Sequence, residues 1–174
     1  GWIWPRHKAP FKVVGAPFYD RERIRNFFQK PSIFDVAWNS PLDDVLINEF
    51  LAHTDLPQTD FIELYNYGTN PVDISTCFLS DTTTTNKFRI PTNTILAAGA
   101  HIAFAQADLA FSLSSHGDEI YFVSPDETRV IDAVRFPAQQ NGVSTGRFPD
   151  GAPDFYVLAW PTTNAANILA GPRS

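Results

Sequence analysis

The sequence predicts an all-β protein whose main body is an antiparallel sandwich, and three observations predict it. From Val45 onward, short apolar stretches alternate with turn residues at roughly eight-to-twelve-residue spacing. No segment after Val45 sustains the 3.6-residue apolar period of a long helix. Hydrophobic residues make up 44% of the 174 residues, enough for one domain with a substantial core and too many for a disordered chain.

The elements follow in order. Residues 45–50 read as the first strand. Residues 61–66 read as the second, with Ile62 and Leu64 on one face and Phe61, Glu63 and Tyr65 on the other. Gly68 and Pro71 mark a turn after it. Residues 87–90 form a short strand stopped by Pro91, and residues 101–104 form another after the turn at Gly99. The clearest hairpin joins residues 119–123 to residues 128–134 through Ser124-Pro125-Asp126-Glu127. Proline at the second turn position fixes φ there, and aspartate suits the position after it. A turn at Pro149-Asp150-Gly151 leads into a last strand over residues 155–159. Residues 106–110 suit a single helical turn, and residues 161–174 are small and polar with little pattern.

The first 44 residues differ in texture. They hold three of the four tryptophans (Trp2, Trp4, Trp38), five phenylalanines, and prolines at 5, 10, 17, 31 and 41. Residues 20–29 are the best helix in the chain: Asp20 suits an N-cap, and Ile24, Phe27 and Phe28 recur at i, i+3, i+4 before Pro31. An exposed arm of this composition would be an aggregation hazard, so its rings need a cover. Trp2, Trp4, Phe11, Phe18, Tyr19, Ile24, Phe27 and Phe28 are the interaction candidates, because aromatic residues anchor interfaces. They either pack on the sandwich as an extra layer or dock another domain or subunit. The expected division is an extension over residues 1–44, the sandwich over 45–168 and a short tail over 169–174.

Charge and cysteine content exclude several classes. Residues 1–44 carry seven Lys/Arg against five Asp/Glu, while residues 45–174 carry six against fourteen. A body at −8 without a basic cluster is not expected to bind nucleic acid. No apolar run approaches the roughly eighteen residues of a membrane span. Cys77 is the only cysteine, so neither an intrachain disulfide nor a cysteine-based metal cluster can form. The chain has no methionine and is expected to be a piece of something longer.

Candidate chemistry is thin. Ser115, His116 and Asp118 hold the residue types of a nucleophile, base and acid, but a triad needs side chains converging from separate elements. A hairpin tip explains them better. Glu49 and Glu63 lie in strands and could be neighbours, yet a glycosidase pair must flank a cleft, which a filled sandwich does not supply. Solvated strand faces and turns account for these acids, as for Asp118-Glu119 and Asp126-Glu127, too short alone for a calcium loop. The threonine run at 82–85 reads as an exposed loop. His7, His53, His101 and His116 show no zinc spacing, and no glycine-rich phosphate loop occurs. No catalytic residue, metal ligand or cofactor is expected; calcium at a loop is left open.

Five stretches in order resemble the lamin tail domain family in its bacterial form. They are residues 45–50, residues 60–66 with 71–75, residues 88–91 with 94–99, Leu113-Ser114-Ser115-His116-Gly117-Asp118-Glu119-Ile120, and Gly146-Arg147-Phe148-Pro149-Asp150-Gly151. The resemblance implies an immunoglobulin-like sandwich over about residues 45–168 without catalytic apparatus. It also implies an accessory module of a large secreted or cell-surface protein, often beside hydrolases. The expected function is therefore a noncatalytic interaction or scaffolding module whose partners are other protein domains or copies of itself. Two alternatives are a structural subunit polymerising through its N-terminal arm and a carbohydrate-binding accessory domain of an extracellular hydrolase.

Overall fold

The computed structural model describes residues 40–171, together with the backbone of residues 12–13. The helix expected over residues 20–29 lies outside the described residues.

Ser40 opens the body. Its Oγ accepts from Leu42 N at 3.3 Å, and Pro41 pre-sets the first φ of a 3-10 turn over Pro41–Asp44. The chain then enters β2 (Val45–Leu51), counting as β1 the two-residue strand Lys12–Val13. β2 pairs with β3 (Phe61–Asn66), and β3 with β8 (His101–Ala105); on its other side β2 pairs with β11 (Thr145–Arg147), which carries β12 (Phe155–Val157) at the edge. The resulting five-stranded sheet runs β12-β11-β2-β3-β8.

A second five-stranded sheet faces it in the order β1-β10-β9-β5-β6, built from β10 (Val130–Pro137), β9 (Gly117–Val123), β5 (Phe78–Ser80) and β6 (Phe88–Arg89). All pairings are antiparallel except that of β1 on β10. β4 (Val72–Asp73) and β7 (Ile95–Leu96) form a small ribbon, and α1 (Gln106–Leu109) is the single turn expected near residue 106. The protein is thus an all-β, immunoglobulin-like sandwich.

The core follows the strand parity. Ile47, Phe50, Ile62 and Leu64 of one sheet meet Leu79, Ile120, Phe122, Val134 and Phe136 of the other. Phe50 and Phe136 stack with ring centroids 4.4 Å apart. Phe78–Ser80 is a strand that its length concealed: three residues followed by a threonine-rich loop carry too little alternation to register. The hairpin turn is as the sequence predicts, with Glu127 N donating to Ser124 O at 2.9 Å, but Glu127 adopts φ +60° and a bulge follows at Ile131. The extra residue reverses the parity of β10, so Asp132, opposite Phe122, faces the sandwich interior.

That inward carboxylate has a counter-ion waiting. Arg147 on β11 reaches across, its Nη2 3.0 Å from Asp132 Oδ2, with the two side chains 1% and 0% exposed. Arg147 Nε donates to Ile47 O at 2.8 Å and Nη1 to Ala152 O at 2.8 Å, while Ile47 N donates to Asp132 Oδ2 at 3.0 Å. The guanidinium carbon also lies 4.5 Å from the Phe155 ring centroid. A buried pair persists only when its remaining donors and acceptors are met in this way, and here it clamps the two sheets.

Cys77 is buried in the same core. Burial, aided by the negative charge of Asp73, pushes its thiol up to about 12. Because the thiolate is the nucleophile, native protein at pH 8 should react with a disulfide reagent at least tenfold more slowly than urea-unfolded chain. Equal rates would show that the core is open at this point.

Candidate functional site

The outer face of the β12-β11-β2-β3-β8 sheet holds a cluster of buried polar residues, Asn48, Glu49, Glu63, Thr162 and Asn167. It begins with a second bulge. Ile47 opposes Leu64 and Glu49 opposes Glu63, so Asn48 is the extra residue on β2. The parity shift keeps Ile47 in the core and turns Glu49 outward, directly beside Glu63 on β3.

The expectation that these two glutamates sit on a solvated strand face is wrong. Both are 0% exposed. Residues 158–169 run over them as a strap. Thr162 N donates to Glu49 Oε1 and Oε2 at 3.0 and 3.2 Å, and Thr162 Oγ1 lies 2.7 Å from Oε2. Asn164 N donates to Glu63 Oε2 at 2.5 Å, and its own Oδ1 accepts from Ala103 N on β8 at 2.9 Å. At the other end Asn167 Nδ2 donates to Arg147 O at 2.8 Å and Asn48 O at 3.3 Å. Three strap residues therefore reach four successive strands.

Asp150 ties the cluster to its rim. Its Oδ1 accepts from Asn48 Nδ2 at 3.1 Å and Asn167 N at 3.0 Å, and its Oδ2 lies 3.1 Å from His101 Nε2. His101 stacks on Tyr65, its cross-strand neighbour, at 4.5 Å. Two glycines make the close approach feasible. A Cβ at Gly146 would sit 2.6 Å from Asn167 Nδ2 and 2.8 Å from Leu158 Cδ1, and Gly151 has φ +76° against the ring of Tyr65.

Burial is the main force on the Glu63 carboxyl and pushes its pKa up to about 8, with Glu49 and Asp150 adding like-charge repulsion. Paired carboxylates of this kind can serve as a general acid and base. Here the strap's amides and the Thr162 hydroxyl occupy the oxygens that a substrate would need. What the arrangement does is hold the strap. Asp60 fills a similar post nearby: its carboxyl, raised by burial, accepts from Thr54 Oγ1 at 3.2 Å and Leu113 N at 3.2 Å.

The other sequence candidates fall apart spatially or lie elsewhere. Asp118 accepts from Ser114 N and Glu119 N at 2.9 Å each, so its carboxylate serves the loop backbone, and Ser115 Oγ sits 3.3 Å from His116 Nδ1 on the same loop tip. Among the described residues no three His, Cys, Asp or Glu side chains converge to hold a metal ion. No described helix is long and apolar enough to cross a membrane. Trp2, Trp4, Phe11, Phe18, Tyr19, Ile24, Phe27 and Phe28 lie outside the described residues.

An apolar edge accompanies the strap. Tyr156, Val157, Trp160, Ile168 and Leu169 are 37–57% exposed. Leu158 bridges Leu169 and Ala159 N donates to Ile168 O at 2.9 Å, which lays the returning strap beside the chain that leaves β12, while Tyr156 and Val157 project from the two faces of that edge strand.

A family model described as Lamin Tail Domain matches residues 39–138, more than half of the chain. The chain belongs to the lamin tail domain family. No curated protein and no solved structure matches it. In this lamin tail domain the match runs from β2 to the end of β10, while β11, β12 and the strap follow it. The family is non-enzymatic and serves protein interaction and structure, which agrees with a carboxylate pair spent on fastening. Trp160 gives no signal in the sequence, because it stands alone before Pro161 in a stretch with no period.

Proposed function

We propose that this lamin tail domain is a noncatalytic interaction module of a larger secreted or cell-surface protein, docking another protein chain along the edge formed by β12 and the strap. The observation that carries the reading is the exposed Tyr156, Val157, Trp160, Ile168 and Leu169 beside an edge strand. Soluble domains scatter single apolar residues over their surfaces, whereas a contiguous run marks a contact. Aromatic residues at its centre are the usual anchors of such contacts. Sugar sites combine stacking rings with polar groups that take up hydroxyls; the aliphatic Val157, Ile168 and Leu169 favour protein over carbohydrate.

A photoreactive phenylalanine analogue at position 160 tests the assignment in extracts of the source cells. The expected product is a cross-link to an apolar segment of another chain, either a neighbouring copy or a second protein. It should disappear when Val157→Lys is added. Cross-links confined to the probe's own chain would contradict a docking edge.

A further inference from the structure

The other sheet carries a second apolar cluster on the wrong side. Ile120, Phe122, Leu79 and Val134 face the main core, so the residues between them face outward: Tyr121 and Val123 on β9, Phe78 and Ser80 on β5, and Ala133 on β10. An open sheet face leaves a tyrosine ring well exposed. Yet Tyr121 is 1% exposed, Ala133 and Ser80 0%, and Val123 and Phe78 under 10%. Thr85 O accepts from Ser80 Oγ at 2.6 Å, which places the 81–87 loop at that corner of the face. The apolar cluster itself is drawn wholly from strands of this sheet; no other described element contributes to it.

We propose that this face is the seat of the chain's own N-terminal segment, residues 1–39, whose aromatic side chains cover Phe78, Tyr121, Val123 and Ala133. Four observations support that occupant over another. First, β1 belongs to this segment and pairs with β10 of the same chain, Lys12 opposite Val134 and Val13 opposite Arg135, which delivers the segment to the edge of this sheet. Second, residues 14–39 separate β1 from Ser40. At about 3.3 Å per extended residue they far exceed the roughly 20 Å across five strands. Third, the segment holds Trp2, Trp4, Phe11, Phe18, Tyr19, Phe27, Phe28, Phe34 and Trp38, ample area for one sheet face. Fourth, residues 1–39 carry seven Lys/Arg against three Asp/Glu, and residues 40–174 carry six against sixteen, so +4 meets −10. The margin of the face is polar: Arg135 Nη2 lies 2.9 Å from Glu119 Oε1, and the Arg135 side chain is 58% exposed. An apolar centre with a polar rim is the anatomy of a docking surface.

The surface differs in place and occupant from the β12 edge, so the two assignments stand or fall separately. The test uses the full chain with Trp160→Phe, which leaves Trp2, Trp4 and Trp38 as the only tryptophans. Ala133→Arg then puts a long charged side chain at the centre of the outer face without entering the core. Tryptophan emission should be blue in the parent chain and shift towards that of unfolded chain in the variant. Proteolytic cleavage within residues 1–39 should become at least tenfold faster, while β-sheet circular dichroism is retained. Val157→Arg, on the other sheet, should change neither signal. Should Ala133→Arg fail to fold, Val123→Lys at the margin of the same face serves in its place. Solvent-like emission in the parent, or no response to either substitution, would overturn the proposal. A chain that light scattering shows to be a dimer, and that Ala133→Arg converts to a monomer, would also overturn it, because the segment would then lie on a second copy.

Discussion

Replacing Arg147 with methionine should lower the unfolding free energy by about 3–5 kcal/mol, the cost of leaving a buried carboxylate without its counter-ion. Arg147 is 1% exposed and Asp132 0%, and the guanidinium also donates to Ile47 O and Ala152 O. Losing it strands two carbonyls as well as a charge. The substitution is read from urea unfolding midpoints followed by circular dichroism. Asp132→Leu combined with Arg147→Met should recover a large part of the loss, since removing both charges leaves none uncompensated. A loss below about 1 kcal/mol for the single variant would mean that the pair does not clamp the sheets.

Glu63→Gln should flatten the pH dependence of stability. In the folded chain burial pushes the Glu63 carboxyl up to about 8, from an ordinary value of 4.5. Between those values the native state keeps a proton that the unfolded chain has released. The stability contribution of the protonated group is therefore complete below about pH 4.5 and is lost as pH rises through about 8. The slope amounts to about 3–5 kcal/mol over that window. Facing groups set the size of the effect: Glu49 opposite, Asp150 at the rim with His101 beyond it, and the Asn164 amide on the strap. Stability measured from pH 5 to pH 9 should fall for the wild-type chain and stay nearly level for Glu63→Gln. Parallel curves for the two would show that Glu63 is not the titrating group.

Much of the fold was legible because alternation is a local signal. Residues 61–66 announce Ile62 and Leu64 as core, and the Ser124–Glu127 turn announces its hairpin. Bulges were not legible. One extra residue at Asn48 and another at Ile131 decide whether Glu49 and Asp132 face out or in, and neither position carries a distinctive residue type. The carboxylate cluster was hidden for a related reason. Glu49 finds Thr162 113 positions away and Glu63 finds Asn164 101 positions away. A glutamate in a strand reads as solvated until the segment that covers it is known. The strap itself lacks a period because side-chain and backbone bonds to four strands hold it, not a face of alternating apolar residues.

Native-state hydrogen exchange on the intact chain is the most direct test of the claim that Glu49 and Glu63 are fastenings for the strap and not reactive groups. The Thr162, Asn164 and Asn167 amides all donate to buried or half-buried carboxylates. Each should be protected nearly as well as the amides of β2 and β3, opening only with the domain. Exchange of these three at the rate of an unstructured peptide, with β2 and β3 still protected, would show the strap to be loose and the two carboxylates open to solvent and substrate.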